Sequence, residues 1–360
     1  MLHLERRDHA SPLFAALSPF LALAITVGLG SLVFLAIGKS PIAGFHAYFL
    51  EPLSEVWSVH ELLVKATPLI LIGAGLCVCF RSGNWNIGAE GQFVMGGVAG
   101  ALVPVLLPTW DVAIALPLTL LCGAIGGAAY AAIPALLKVR VGANEILSSL
   151  MLVYVAGLFA DWLVRGPWRD PSGYGFPGTP TFGEAYVLPD LVTGGSLAGS
   201  THFGFPIAIG IALALGLMMG RSLKGFEIVL AGEAPRAGRF AGFDPARTTL
   251  FAFLVSGALA GLAGIIEVTG NVGKLDEKLS LGYGFAAIIV AFLGRLNPYG
   301  VIASSLILAL TYLGGEAAQI SIGISDKVSS IFQGMLLVAV LGCDTLINYR
   351  VGWHRRVGHA

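Results

Sequence analysis

Gly83-Asn84-Trp85-Asn86-Ile87-Gly88-Ala89-Glu90-Gly91-Gln92 decides how this chain folds, because it interrupts two apolar runs, Pro68 to Phe80 and Phe93 to Leu107. Two asparagines, a glutamate, a glutamine and three glycines occupy positions where a hydrophobic helix would otherwise continue. In hydrocarbon, interrupted helices and bare amides persist only where protein buries them or where they line a wet cavity. Such a break at membrane depth frees backbone groups to meet a solute and builds a polar path through a transporter. On these residues alone, a Gly-rich turn in water between two spans is an equal alternative.

The surrounding composition is that of an integral membrane protein. Of 360 residues, 56% are hydrophobic and 12% charged, against about 25% charged in soluble domains; mean hydropathy is +0.82. The 49 glycines have no collagen period and suit close-packed membrane helices. Basic and acidic residues cancel, 21 against 21, so no overall field calls for nucleic acid. Cys77, Cys79, Cys122 and Cys343 lie inside apolar runs with neither zinc nor redox spacing, so no metal site is expected. Arg6 and Arg7 precede an apolar run, but Leu17 to Ile37 is long enough to span and has no small-residue cleavage site, so it reads as a retained first helix.

Hydropathy gives an all-α, polytopic helical bundle of about ten spans, at roughly 15–37, 62–80, 90–107, 112–137, 144–164, 203–220, 247–269, 283–294, 299–316 and 329–347. The eighth is short, and an eight-span version with two half-crossing segments keeps the same termini. With the N-terminus inside, Arg6, Arg7, Arg81, Lys138, Arg140, Arg221, Lys224, Arg236, Arg239, Arg247, Arg295, Arg350, Arg355 and Arg356 fall on the cytoplasmic side. Lys39, Lys65, Arg165, Arg169, Lys274, Lys278 and Lys327 fall outside, a ratio of 14 to 7 that has the sign of the positive-inside rule and places both termini in the cytoplasm. The organisation is a cytoplasmic tail (1–14), a transmembrane domain (15–347) and a second cytoplasmic tail (348–360), with an outer loop at 165–202 and an inner loop at 221–247. The outer loop, with Trp168, Tyr174, Phe176 and Tyr186, reads as a folded cap facing a partner or as an interfacial anchor. The outer stretch from Ser40 to Glu61 is the other long connection. Gly96/Gly100, Gly123/Gly127, Gly216/Gly220 and Gly257/Gly261 are small-xxx-small pairs that let helices approach closely.

The inner loop contains a short helix. Pro235 suits a first turn, Arg236 and Arg239 share a face, and Ala237, Phe240 and Ala241 form an apolar one. Gly242 can stop the helix in the left-handed conformation, and Asp244-Pro245 reads as N-cap and first residue of the next span. This helix can dock in a groove of a soluble partner or lie on lipid headgroups. Asn144 and Glu145 open a further span as N-cap and acidic first turn.

Asn86-Ile87-Gly88-Ala89-Glu90-Gly91-Gln92 resembles the NIGAEGQ signature of permease subunits in bacterial ABC importers of the branched-chain amino acid/ribose-type superfamily. The subfamily is the one that serves nucleosides and simple sugars and is fed by basic-membrane-lipoprotein binding proteins. Gly232 to Phe243 is similar to its coupling segment, with Ala234 for the common Asn and Gly238 for an Ala. Gly142 to Leu152 is similar to its GTNEVISTIML pattern, with Val153 at a usual Asn. Ser256 to Gly264 resembles its SGALAGLAG helix, and Gly282 to Phe285 with Leu293 to Pro298 its GYGF…LGxxNP block. The matches extend over about residues 66 to 345.

The resemblance implies a bacterial inner-membrane permease that performs no chemistry itself. Asn84, Asn86, Glu90 and Gln92 are the expected polar groups on the substrate path, joined by Ser148 and Ser149 if their helix lines it. Beside Arg81, Glu90 can instead be half of a structural pair. Pro235, Arg236, Arg239, Phe240 and Gly242 are expected to couple to the ATPase. ATP is bound by partner subunits, since Gly38-Lys39-Ser40 lacks the first P-loop glycine (position 33 is Val), and this chain needs no cofactor. Expected partners are ABC ATPases, a second and different permease, a periplasmic substrate-binding lipoprotein and the bilayer, without nucleic acid. An ion-coupled transporter is the alternative, but its candidate carboxylates, Asp161, Glu267 and Glu316, lie near span ends. No acid, base or metal-ligand constellation suggests an enzyme.

Overall fold

The computed structural model describes residues 2–6, 12–192, 199–277, 279, 282–325 and 327–353. Thirteen helices run in order among these residues: α1 (Pro12–Ala36), α2 (Pro41–Phe45), α3 (Val56–Arg81), α4 (Ala89–Leu106), α5 (Ala115–Leu136), α6 (Glu145–Arg165), α7 (Gly204–Arg221), α8 (Leu223–Glu233), α9 (Pro235–Phe240), α10 (Pro245–Glu267), α11 (Tyr283–Leu293), α12 (Pro298–Ile322) and α13 (Lys327–Asn348). Each of the ten expected spans coincides with one of them. Seven (α3 to α7, α10 and α12) are long and apolar enough to cross a membrane, and an eighth candidate is the first helix with the segment Pro41–Leu53, bent by 118°. Arg7, Lys278, Arg355 and Arg356, which entered the charge tally, lie outside the described residues, as does 193–198 of the outer loop.

The chain forms two compact units, residues 53–310 and residues 1–52 with 311–360. In the larger, α3 is the axis: every residue from Ala66 to Phe80 is buried, as suits a helix apolar on all sides. By contrast α6 buries only Ser149, Ala156, Ala160, Leu163 and Val164. Helices α4, α5 and α10 meet backbone to backbone. A Cβ at Gly96 would stand 2.0 Å from Gly261 Cα, one at Gly127 2.2 Å from Gly257 O, and one at Gly264 2.0 Å from Phe93 O. Three of the four small-xxx-small pairs, Gly96/Gly100, Gly123/Gly127 and Gly257/Gly261, therefore mark a three-helix crossing held by dispersion and close approach.

The short α11 is an apolar helix of 11 residues. Leu275 is hydrogen-bonded to Thr179 of the outer loop, Leu279 faces Gly97 within the bundle, and α11 then runs from Tyr283 to Leu293. Residues on the left-handed side mark both ends of the segment, Gly273 and Gly282 before α11 and Arg295 and Leu296 after it.

The outer loop is a folded cap over the end of α10. Thr179 N–H donates to Leu275 O (2.9 Å), Phe182 N–H to Gly273 O (2.8 Å) and Leu188 N–H to Thr269 O (3.0 Å). The Tyr186 hydroxyl donates to Leu107 O. Phe182, Tyr186 and Leu188 are buried, whereas Tyr174 and Phe176 are exposed.

In the smaller unit the stretch after Ser40 is helical over most of its length, where a connecting loop was expected. Phe34, Phe45, Tyr48 and Phe332 pack as an aromatic cluster with centroids 5.1 to 6.2 Å apart, which turns the stretch back onto α1 and α13. The all-helical expectation also needs one correction. Leu2–Arg6 (β1) pairs antiparallel with Tyr349–Trp353 (β2), because two extended tails leaving one end of the unit satisfy each other's backbone groups.

Candidate functional site

Helix α3 ends where Ser82 Oγ donates to Cys79 O (2.7 Å) and Gly83 turns left-handed at φ 72°, a conformation glycine adopts without Cβ cost. The chain then re-enters the bundle without regular structure to the start of α4 at Ala89. Its depth follows from its partners. Asn84 is bonded to Thr249, four residues into α10, whereas Asn86 reaches Ser256. Ser256 is 11 residues from Pro245 and 11 from Glu267, the two ends of α10, or about 16 Å from each. Asn86 therefore sits halfway along a spanning helix, which resolves the two placements open on sequence in favour of a buried break.

All four side chains singled out in the break are buried: Asn84 (3% exposed), Asn86 (0%), Glu90 (1%) and Gln92 (1%). Asn86 Nδ2 donates to Gln92 Oε1, and Gln92 Nε2 returns a bond to Asn86 Oδ1, both 2.9 Å. Asn86 also donates to Ser256 Oγ (3.0 Å) and accepts from Gly88 N–H (3.1 Å). Both amide hydrogens of Asn86 and two acceptor positions are thus used, as a buried amide requires.

Glu90 belongs to the start of α11. Its carboxylate accepts from Gly282 N–H (2.9 Å) and Gly284 N–H (2.6 Å), so it caps α11 where free N–H groups and the helix dipole favour negative charge. Arg81 donates from Nε to Leu296 O (3.2 Å) at the other end of α11. The two residues secure opposite ends of one short helix.

At the mouth of the break, Asn84 Oδ1 accepts from Lys138 Nζ (2.9 Å) and Thr249 Oγ1 (3.2 Å). Lys138 also donates to Glu145 Oε1 (2.6 Å). Asn144 caps α6 as expected, accepting from Ile146 N–H (2.9 Å) and Leu147 N–H (3.3 Å). Ser149 is buried against Gly88 and accepts from Ile87 N–H (3.3 Å). Ser148, half-buried, donates to Glu145 O (3.4 Å). The structure thus brings Ser149 to the break and leaves Ser148 on its own helix turn.

The inner-loop grammar holds residue by residue. Pro235 opens α9, Gly242 is left-handed at φ 86°, and Asp244 accepts from Ala246 N–H (2.9 Å) to cap α10. Gly238 is buried over Leu230, while Arg236 and Arg239 are exposed and Phe240 is 92% exposed. The preceding α8 touches the break, since a Cβ at Gly232 would lie 2.2 Å from Arg81 O.

Ser256, Lys138 and Thr249, which hold the break in place, were not legible in that role. Ser256 sits in a stretch that reads as helix packing, Lys138 counts only as an inner charge, and Thr249 has no motif. The carboxylates that would serve ion coupling are bonded locally: Asp161 to Arg165 (2.6 Å) and buried Glu267 to Asn271 (2.8 Å). An apolar cavity of about 430 Å³ between α4, α5 and α6, lined by Met95, Leu102, Tyr130, Phe159 and Trp168 among others, commits its one phenol to Leu152 O (2.6 Å). It presents little to hydrogen-bond a polar solute. Among the described residues no cluster of His, Cys, Asp or Glu could hold a metal ion.

Residues 58–341 match the family described as branched-chain amino acid transport system/permease component. The chain is 33% identical to a glucose ABC transporter permease protein of Haloferax volcanii, over 98% of this chain and 93% of the relative. It is 29% identical to a guanosine ABC transporter permease protein of Bacillus subtilis, over 90% and 92%, and 27% identical to a nucleoside ABC transporter permease protein of Lactococcus lactis, over 83% of each. No solved structure matches the chain. A chain of spanning helices around a buried polar break, matched along nearly its whole length, belongs to the branched-chain amino acid transport system/permease component family and is a permease subunit of an ABC importer.

Proposed function

We propose that this subunit forms the membrane path for nucleosides or related simple sugars, driven by separate ATPase subunits that bind the ATP. The observation that carries the reading is the break itself, a polar interruption between α3 and α4 that lies beside the midpoint of α10, in a chain of this family. Helix breaks at such depth are where transporters expose backbone and amide groups to a solute. Asn84, Asn86, Glu90, Gln92, Ser148 and Ser149 supply the polar groups. Most of them are bonded within the protein here, so they reach a solute only when the bundle shifts and those bonds open. The relatives named for glucose, guanosine and nucleosides support the substrate class.

Ten crossings with both termini in the cytoplasm fit the pairing of β1 with β2, which brings the two ends of the chain together as an even number of crossings requires. Arg81, Lys138 and the 221–247 segment gather at one end of the larger unit, and Arg165, Lys274 and the folded cap at the other, in keeping with a bacterial inner-membrane orientation. On the inner end, exposed Arg236, Arg239 and Phe240, framed by Pro235 and Gly242, form a short docking helix for the ATPase. On the outer end, the cap receives a substrate-binding lipoprotein, and a second, different permease completes the pair.

Reconstitution in liposomes with the ATPase, the second permease and the binding protein tests the reading through nucleoside-stimulated ATP hydrolysis. Wild type should respond, and Arg239→Glu should abolish the response while the subunits still co-purify. A response to glucose alone would retain the engine and replace the substrate. An Arg239→Glu complex that responds like wild type would refute the coupling helix.

A further inference from the structure

Two sets of polar contacts, joined through the adjacent Thr248 and Thr249 of α10, lead from α8 to the mouth of the break. The first begins at Glu227, whose carboxylate accepts from Lys224 Nζ (3.0 and 2.9 Å) and from Thr248 Oγ1. Burial opposes the charge on Glu227, but the hydrogen bonds from Thr248 and Lys224 outweigh it and hold the carboxyl below its ordinary range. The next residue on α10, Thr249, donates to Asn84 Oδ1 (3.2 Å), which also receives Lys138 Nζ (2.9 Å) from the turn after α5. Lys138 closes the set on Glu145, the first residue of α6 (2.6 Å). Asn84 Nδ2 is fixed in turn by Ser82 Oγ (2.7 Å), so its carbonyl is presented to the two donors by local geometry.

We infer that Lys138 and Thr249 form a latch on Asn84, which makes the break move with the segment between α7 and α10 during the transport cycle. The inference rests on the importer reading above. Three facts carry it. Asn84 is only two residues from Asn86, so displacement at the mouth is passed to mid-depth through one short stretch of chain. Lys138 gathers α5, α6 and the break at a single ammonium, and a charge-assisted hydrogen bond resists separation more than a neutral one. Thr248 and Thr249, adjacent on α10, bond to α8 and to the break respectively, so α10 cannot follow one without pulling the other. Lys138 and Thr249 act through Asn84 and are positioning residues; neither needs to touch the solute.

The test is the ratio of solute taken up to ATP hydrolysed in the reconstituted four-component complex, for wild type, Thr249→Val, Lys138→Met and Lys138→Arg. Thr249→Val removes one hydroxyl at nearly constant volume, and Lys138→Met removes the ammonium and keeps an unbranched side chain. Both should lower the uptake-to-ATP ratio at least tenfold while co-purification of the ATPase and basal hydrolysis stay at wild-type level, and Lys138→Arg should retain most of the ratio. A purely stabilising role would lower yield or melting temperature and leave the ratio unchanged, which overturns the latch. If Lys138→Met does not assemble, Thr249→Val decides alone, and a wild-type ratio in it overturns the latch. If the wild-type complex shows no ATP-driven uptake of any nucleoside or sugar, the importer reading falls and the latch with it; coupled wild type with equally coupled variants removes the latch only.

Discussion

Replacing Gly261 by alanine should destabilise this protein, whereas the same change at Gly220, inside an identical sequence signal, should not. The added Cβ at position 261 would stand 2.3 Å from Gly123 O and 2.8 Å from both Cα and N of Gly127. Those atoms are backbone, so no rotamer can relieve the overlap, and α5 has to retreat by about 1 Å to regain contact distance. Over-packing of this kind costs roughly 3 kcal/mol at the upper end of its usual range. Alanine's better helix propensity returns about 1 kcal/mol, leaving a net loss of about 2 kcal/mol. At Gly220 nothing lies within 4 Å of the added carbon, so only the propensity gain remains. For a protein of this size the loss corresponds to a fall on the order of 3 °C in apparent melting temperature. Heating detergent-purified samples and measuring the surviving monodisperse fraction reads the difference. Equal melting of Gly261→Ala and Gly220→Ala would refute the reasoning, because both sites would then be governed by propensity rather than by helix approach.

Two further outcomes follow from single groups. Glu90→Gln leaves one amide oxygen to serve the N–H groups of Gly282 and Gly284; one buried donor loses its partner, at about 1–3 kcal/mol, and a variant with unchanged melting would show that the carboxylate is not the cap of α11. His202, clamped between Gly204 and Gly270, accepts from Gly204 N–H at Nδ1 (3.1 Å) and buries an Nε2 that has no hydrogen-bond partner among the described residues. Burial pushes its pKa from 6.5 down to about 4, against the raising field of Asp190. The unfolded chain therefore binds the proton near pH 6.5 and the folded one only near pH 4, so stability is complete above the window and lost as pH falls through it, by about 3 kcal/mol. Melting recorded from pH 7 to pH 4 should show this slope in wild type and a shallower one in His202→Gln; identical slopes would count against the assignment.

Much of the fold was legible because membrane burial writes long, unambiguous runs. All ten expected spans became helices, and the short eighth was already the exception that α11 proved to be. The caps at Asn144 and Asp244, the first-turn Pro235 and the left-handed Gly242 were legible for a different reason: each depends on the backbone within a few residues. Less could be read where partners come from far along the chain. Glu90 stood near Arg81 in sequence, yet it caps a helix that begins at residue 283. The stretch after Ser40 looked like a loop because its aromatic partner Phe332 is nearly 300 positions away.

Sequence alone determined that this is a polytopic membrane protein with a polar interruption and a short capped helix, since hydropathy and turn chemistry are local properties, and the resemblance of its motifs made it a permease. Tertiary structure decided where the interruption lies and what holds it. Asn86 and Gln92 are six residues apart and can find each other locally, but their depth is set by Ser256, and the mouth is set by Lys138 and Thr249. A buried amide must be satisfied by whatever donors and acceptors the fold delivers, and in a bundle those arrive from helices whose order in space no single stretch of chain encodes.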